Sequence, residues 1–250
     1  MRCVEKPQSE QVRAPHVNPA PGIGPPPGTH FSPIPASTVP GHTSSLTEMH
    51  RLLVATHNAH KTAEIQAMLG PLFAVSDLRA HPGLPVPDET GATFAANAEI
   101  KALAASPHFE GWILSDDSGL ESDLLGGAPG VHSARYAGPG ATDADNRAKL
   151  LADLCRAGAN PAGSPARFRC VMCLVLNGQV LGSFSGAVEG SLLCEERGQG
   201  GFGYDPLFVP EGHTRTFGEL PQEVKNSLSH RSRALAQVLR HLQESLGTAS

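Results

Sequence analysis

Asp116, Asp117 and Ser118 follow the apolar run Trp112-Ile113-Leu114. The pattern predicts a buried strand that breaks into a glycine-containing loop at Gly119, with two adjacent carboxylates at the break. An unpaired buried carboxylate is very costly, so charge at such a place implies a partner. Asp88 and Glu89 supply a second acidic step. Magnesium takes oxygen ligands in octahedral geometry, commonly one or two carboxylates with water and substrate phosphates. One carboxylate from each segment meets that demand, so Asp117 with Asp88 or Glu89 are the candidate metal ligands. The plainer alternatives are a solvated loop charge for Asp88-Glu89 and a turn or helix cap for Asp116.

Three further stretches suit an anion and a flat ring. Thr56, His57, Asn58, Ala59, His60 and Lys61 join an expected strand to a helix start. A helix N-terminus presents free N–H groups to anions, and Lys61 adds a mobile positive charge. This is not a Walker loop, because the required glycines are missing. Residues 198–205 hold four glycines, which let a backbone approach a ligand closely, and Phe202 and Tyr204 offer aromatic surface for a base. The alternative for this loop, Gly198 through Asp205 and so including Gly203, is a tight turn between strands. Lys225, His230 and Arg231 form a basic cluster at another helix start, where positive charge opposes the macrodipole and a bound anion would relieve the conflict. A plain solvated face is the alternative there.

These side chains need a scaffold, and the pattern supplies one. Residues 51–55 read as a strand, followed by a helix carrying Ile65, Met68 and Leu69 on one face. Residues 75–78 are a weaker strand. Thr93 is placed to cap a helix through about Ala105, on which Asn97 and Lys101 stand four apart, able to point into a shared cleft. Thr142 caps a helix that uses Leu150, Leu151 and Leu154. Asn177-Gly178 between strands at 168–176 and 179–185 signals a two-residue hairpin turn. A strand at 207–209 and a helix at about 230–245 complete the chain. Strands alternating with helices around one hairpin predict an α/β fold with a mixed sheet.

Composition narrows the class. The chain has 250 residues, 40% of them hydrophobic, and a formal net charge of −5, so no broad nucleic-acid surface is expected. No apolar stretch approaches the roughly 18 residues of a membrane span. Residues 1–30 lack the apolar region of a secretory signal, so a cytoplasmic location is expected. Cys170 and Cys173 form a CxxC without a second one, and on a strand they face opposite sides, so core packing is expected rather than a metal. Residues 1–48 carry ten of the 22 prolines and no apolar period, and are expected to be disordered. Met49 stands directly before the first strand, which leaves open a start there, with a domain over 49–250.

Five segments, VATHNAHKTAEI, DETGATFAANAEIKA, DDSGLESDLLGGAPGVHSARYAG, GGFGYDPLF and VKNSLSHRSRAL, run in order over about residues 50–241. In them the chain resembles the dITP/XTP pyrophosphatase family, also called inosine triphosphate pyrophosphatases. The resemblance implies an elongated α/β fold with a mixed central sheet, two lobes with a substrate cleft between them, and a homodimer. It implies magnesium-dependent hydrolysis of deaminated purine nucleoside triphosphates to monophosphate and pyrophosphate. Asp117 is then the catalytic carboxylate and a metal ligand, with a second ligand in Asp88-Glu89. Ser118, the Thr56–Lys61 loop, Phe202, Gly203, Tyr204, Asp205, Lys225, His230 and Arg231 line the nucleotide. Ser122 stands at a position usually apolar in that family. Rival readings are a related pyrophosphatase for modified pyrimidine or methylated nucleotides, a nucleotide sensor without catalysis, and an interaction protein working through its proline-rich tail.

Overall fold

A computed structural model of the protein describes residues 50–247; the segment 1–48, and with it the expectation of disorder, lies outside them. Strand β1 (His50–Val54) buries Leu52, Leu53 and Val54 completely, as a strand covered on both faces must. Helix α1 (Ala59–Leu69) leads on to β2 (Phe73–Asp77), and helix α2 (Phe94–Ala105) to β3 (Trp112–Ser122). Both β2 and β3 run parallel to β1. After helix α3 (Asp143–Arg156) come β4 (Ser164–Leu176), β5 (Gln179–Leu192) and β6 (Phe208–Pro210), all antiparallel, then helices α4 (Gln222–Leu228) and α5 (His230–Gly247). The sheet order is β2-β1-β3-β4-β5-β6, the mixed sheet that the alternation of elements implies.

Local signals act where expected. Thr93 Oγ1 accepts from Ala96 N at the start of α2, and Thr142 and Asp145 form a full capping box on α3. Asn177 and Gly178 both take positive φ, 52° and 81°, as a type I′ hairpin requires.

The sheet separates two cores near its parallel end. Leu52, Val54, Leu114 and Met172 pack under α1 and α5, while Leu53, Ile113 and Val175 pack under α2. Cys170 belongs to the first core and Cys173 to the second, so the CxxC does face opposite sides. A third core around Leu120, Leu150, Phe168, Phe208 and Phe217 fills the far end of the long strands.

Several boundaries differ from the expectation. β3 does not break at Asp116; it pairs with β4 without interruption from Trp112↔Leu176 to Ser122↔Ala166. Charge tolerated inside a sheet needs partners, and the partners come from distant elements that local pattern does not reveal. β2 starts two residues early, at Phe73, β4 and β5 are longer than expected, and Leu207 falls in a 3-10 turn before β6. Ser122 is fully buried, and its hydroxyl has no hydrogen-bond partner among the described residues.

Candidate active site

Alternation along β3 sends Asp116 and Asp117 to opposite faces of the sheet. Asp116 points to the side of α1 and α5. Its carboxylate accepts from Arg231 Nε at 3.1 Å and Cys170 Sγ at 2.9 Å, and forms an ion pair with Lys61. Burial pushes this carboxyl up, but the Arg231 and Lys61 charges outweigh it and hold it well below the usual range. Arg231 also pairs with Glu64 and donates to Ser118 Oγ at 3.1 Å. Lys225 Nζ lies 2.8 Å from Glu64 Oε1 and 2.7 Å from Asp205 Oδ2. Three carboxylates (Asp116, Glu64, Asp205) thus balance three cations (Lys61, Arg231, Lys225) in one network. Lys61 stands at its solvent edge.

Asp117 faces α2. Its Oδ1 accepts from Lys101 Nζ at 2.9 Å and its Oδ2 from Asn97 Nδ2 at 3.2 Å. Burial raises this carboxyl despite Lys101 and Lys61, so the adjacent aspartates are driven apart. Lys101 Nζ also lies 3.0 Å from Glu89 Oε1. The Lys101 ammonium thus bridges Asp117 and Glu89, one carboxylate from each acidic segment. Two carboxylate oxygens on one cation suit magnesium, with water and phosphate left to complete the shell. Asp88 is exposed and lies outside this pair. Among the described residues no group of three or more His, Cys, Asp or Glu side chains could hold a metal, so a site of higher protein denticity has no candidate.

The loop before α1 is ordered by its own cap. Asn58 Oδ1 accepts from His60 N and Lys61 N, and Asn58 N donates to Thr56 Oγ1. Asp77 holds Thr62 Oγ1 at 2.8 Å, which ties the first turn of α1 to the end of β2. His57 and Ala59 are exposed, and His60 stacks on Phe202 with centroids 5.3 Å apart. Lys225 Nζ lies 4.4 Å from the same ring centroid, so the Phe202 surface is already engaged. Tyr204 is buried and its hydroxyl donates to Ser133 O. Both rings are held by these contacts, and both line one cavity. His230 instead lies parallel on Phe168 at 4.9 Å, and its buried Nδ1 has no partner among the described residues. Burial and the neighbouring Arg231 hold its pKa well below the ordinary value, so the ring is neutral.

Two adjoining cavities share Asn58, Lys61, Ser118 and Ala134. One is walled by Phe168, Phe202, Tyr204, His230 and Arg231; the other by Thr56, His57, Glu89, Lys101 and Asp117. Of the expected residues, Ala59, His60 and Asp88 line neither cavity, and His60 reaches the first only through its stack on Phe202. Glu64, Cys170, Arg135 and Phe168 were not expected. Glu64 looks in sequence like a solvated helical charge, and Cys170 like core.

A model of the Ham1 family matches residues 52–241. A dITP/XTP pyrophosphatase of Geobacter sulfurreducens is 46% identical over 195 residues, covering 78% of this chain and 97% of that protein. One from Methylococcus capsulatus is 45% identical over 199 residues, covering 79% and 98%. The solved structure of a HAM1 protein from Coxiella burnetii superposes with a TM-score of 0.69 at 39% identity, covering 78% of this chain and 100% of that one.

Proposed function

The chain belongs to the Ham1 family, and on that premise we propose that it is a nucleoside triphosphate pyrophosphatase. It hydrolyses deaminated purine nucleoside triphosphates (ITP, dITP, XTP) to the monophosphate and pyrophosphate, which keeps these nucleotides out of DNA and RNA. The observation that carries this reading is the pair of adjoining cavities meeting at Lys61 and Ser118. An aromatic slot on one side suits a base, and a carboxylate-and-lysine pocket on the other suits a metal-bound triphosphate.

In this reading water attacks the α-phosphorus and pyrophosphate leaves. Asp117 orients the water and takes its proton, a role typically worth about 10²–10⁴-fold in rate. Its raised pKa favours that task over the neighbouring Asp116, whose charge is committed to Arg231 and Lys61. Lys61 and Lys101 place positive charge beside the phosphates. Asp117 and Glu89 are the residues that would hold magnesium, which when bound would neutralise charge on the leaving pyrophosphate. His230 and Arg231 face the base. A hydrogen-bonding site of this kind rejects a mismatched base by about 10⁴–10⁵-fold at most.

A homodimer working in the cytoplasm goes with the family resemblance. No helix of the described residues is long and apolar enough to cross a membrane. The deciding experiment measures pyrophosphate release from ITP, XTP, GTP and ATP by the full chain, with magnesium and with a chelator. Fast release from ITP and XTP that stops on chelation is expected. Equal rates on ITP and ATP would end the substrate reading, and undiminished turnover with chelator would end the metal reading.

A further inference from the structure

Arg135 lies outside the catalytic cleft proper, yet both of its terminal nitrogens are spent on one residue. Nη1 lies 3.1 Å from Glu89 Oε2, and Nη2 donates to the Glu89 backbone carbonyl at 3.3 Å. Glu89 Oε1, the other carboxylate oxygen, is the one turned to Lys101 and, through it, to Asp117. A guanidinium that grips one oxygen and the main chain of a residue fixes the direction of the other oxygen.

The platform behind Arg135 is rigid. Arg135 ends a 3-10 segment, Gly130–Arg135, that closes on the sheet through buried groups. Ser133 Oγ accepts from Leu120 N on β3 and donates to Gly130 O. Buried Asn146 on α3 donates to Ala134 O and accepts from Ala137 N, bracketing Arg135 on both sides. Tyr204 OH adds a third tie, to Ser133 O. The loop that carries Glu89 has its own anchor, since Gly91 N donates to Asn97 Oδ1 while Asn97 Nδ2 donates to Asp117. Arg135 and Asn97 therefore fix the Glu89 loop from two sides, both referenced to β3.

We propose that Arg135 is a positioning residue for the divalent cation: it aims Glu89 Oε1 at the place that Lys101 Nζ marks between Glu89 and Asp117. The proposal rests on the metal reading given above and extends it to a residue that touches neither substrate nor metal. Partners that orient a metal ligand typically contribute about 10–100-fold in metal affinity.

The test titrates the full-length protein with Mn²⁺ alone, reading free Mn²⁺ by electron paramagnetic resonance. Wild type, Arg135→Gln, Arg135→Lys, Glu89→Gln and the Glu89→Gln/Arg135→Gln double variant are compared. Arg135→Gln should weaken Mn²⁺ binding by about 10–100-fold and Arg135→Lys by less. The double variant should bind no more weakly than Glu89→Gln, because Arg135 acts through Glu89. At saturating magnesium the KM for ITP should be unchanged. Wild-type Mn²⁺ affinity in Arg135→Gln, with affinity lost in Glu89→Gln, overturns the proposal and leaves the metal reading standing. Unchanged affinity in Glu89→Gln overturns both. Should Arg135→Gln fail to fold, the comparison of Arg135→Lys with wild type decides on the same readout.

Discussion

Asp116 and Asp117 are consecutive on β3, yet their carboxyl groups are driven in opposite directions, the first well below the ordinary aspartate value and the second above it. The strand's alternation is the cause. Asp116 turns toward Arg231 and Lys61, whose charges overcome burial, while Asp117 turns to α2, where Lys101 does not fully offset it. One aspartate is thereby held charged by its cationic partners, while burial favours the neutral form of the other.

The two should separate cleanly on substitution. Asp117→Asn is expected to fold with near wild-type stability and lose about 10²–10⁴-fold in turnover at saturating magnesium. Asp116→Asn leaves Arg231 and Lys61 without their shared anion, and breaking a buried pair typically costs about 3–5 kcal/mol. Urea denaturation alongside pyrophosphate release checks both, and a destabilised Asp117→Asn with a stable Asp116→Asn would reverse the assignment.

Stability should fall in two steps on acidification. Below the ordinary histidine value of 6.5, the unfolded chain takes up a proton that buried His230 refuses, so stability declines as pH falls from there. Glu64 and Asp116 have folded values depressed from 4.5 and 3.8, so their contribution is full above those values and is lost as pH drops through the depressed ones. Asp117 and Asp205 are raised and work the other way, offsetting part of the second step. Urea midpoints from pH 7 downward should show both steps in wild type, and only the lower one in His230→Phe.

Much of this was legible in the residues themselves. The caps at Thr93 and Thr142, the Asn177-Gly178 turn and the mixed sheet follow from local rules that a few neighbours decide. The five segments of the cleft were legible for the same reason: each keeps its chemistry within a short stretch. What was hidden is long-range. Glu64 lies 167 positions from Arg231, and Cys170 lies 54 from Asp116, so nothing near either residue marks it. The continuation of β3 past Asp116 was missed because charges inside a strand are tolerated only through those same distant partners.

Base choice should weaken without collapse when His230 loses its polar atoms. His230→Phe preserves the stack on Phe168 but removes the buried Nδ1, which has no partner among the described residues. A hydrogen bond of this kind contributes up to about 1.5 kcal/mol, so the ratio of kcat/KM for ITP over ATP should drop by about tenfold. A ratio identical to wild type would remove His230 from base selection.

A stabilising substitution is available at Ser122. Its hydroxyl is buried without a partner among the described residues, and an unsatisfied buried polar group carries a desolvation penalty of about 1–3 kcal/mol. Ser122→Ala removes the oxygen and keeps the backbone bonds to Ala128 and Gly127. The urea midpoint should rise by an amount worth about 1 kcal/mol, with activity unchanged; a lower midpoint would mean that the hydroxyl is satisfied in solution.

Gly186 on β5 tests whether the place of α5 controls the base end of the cleft. A Cβ there would fall 2.6 Å from Ala234 N and closer still to the His230 carbonyl oxygen, both of them main-chain atoms that cannot move singly. Gly186→Ala must therefore push the first turn of α5 away from the sheet. His230 and Arg231 sit in that turn, so the shift separates Arg231 from Asp116 and His230 from Phe168 together. Overpacking of this sort typically costs about 1–3 kcal/mol, which urea denaturation reads. The KM for ITP should rise more than kcat falls, because Asp117 and the Glu89 loop are held by α2 and the 3-10 segment instead. Equal losses in both constants would show that displacement of α5 reaches the catalytic carboxylate as well.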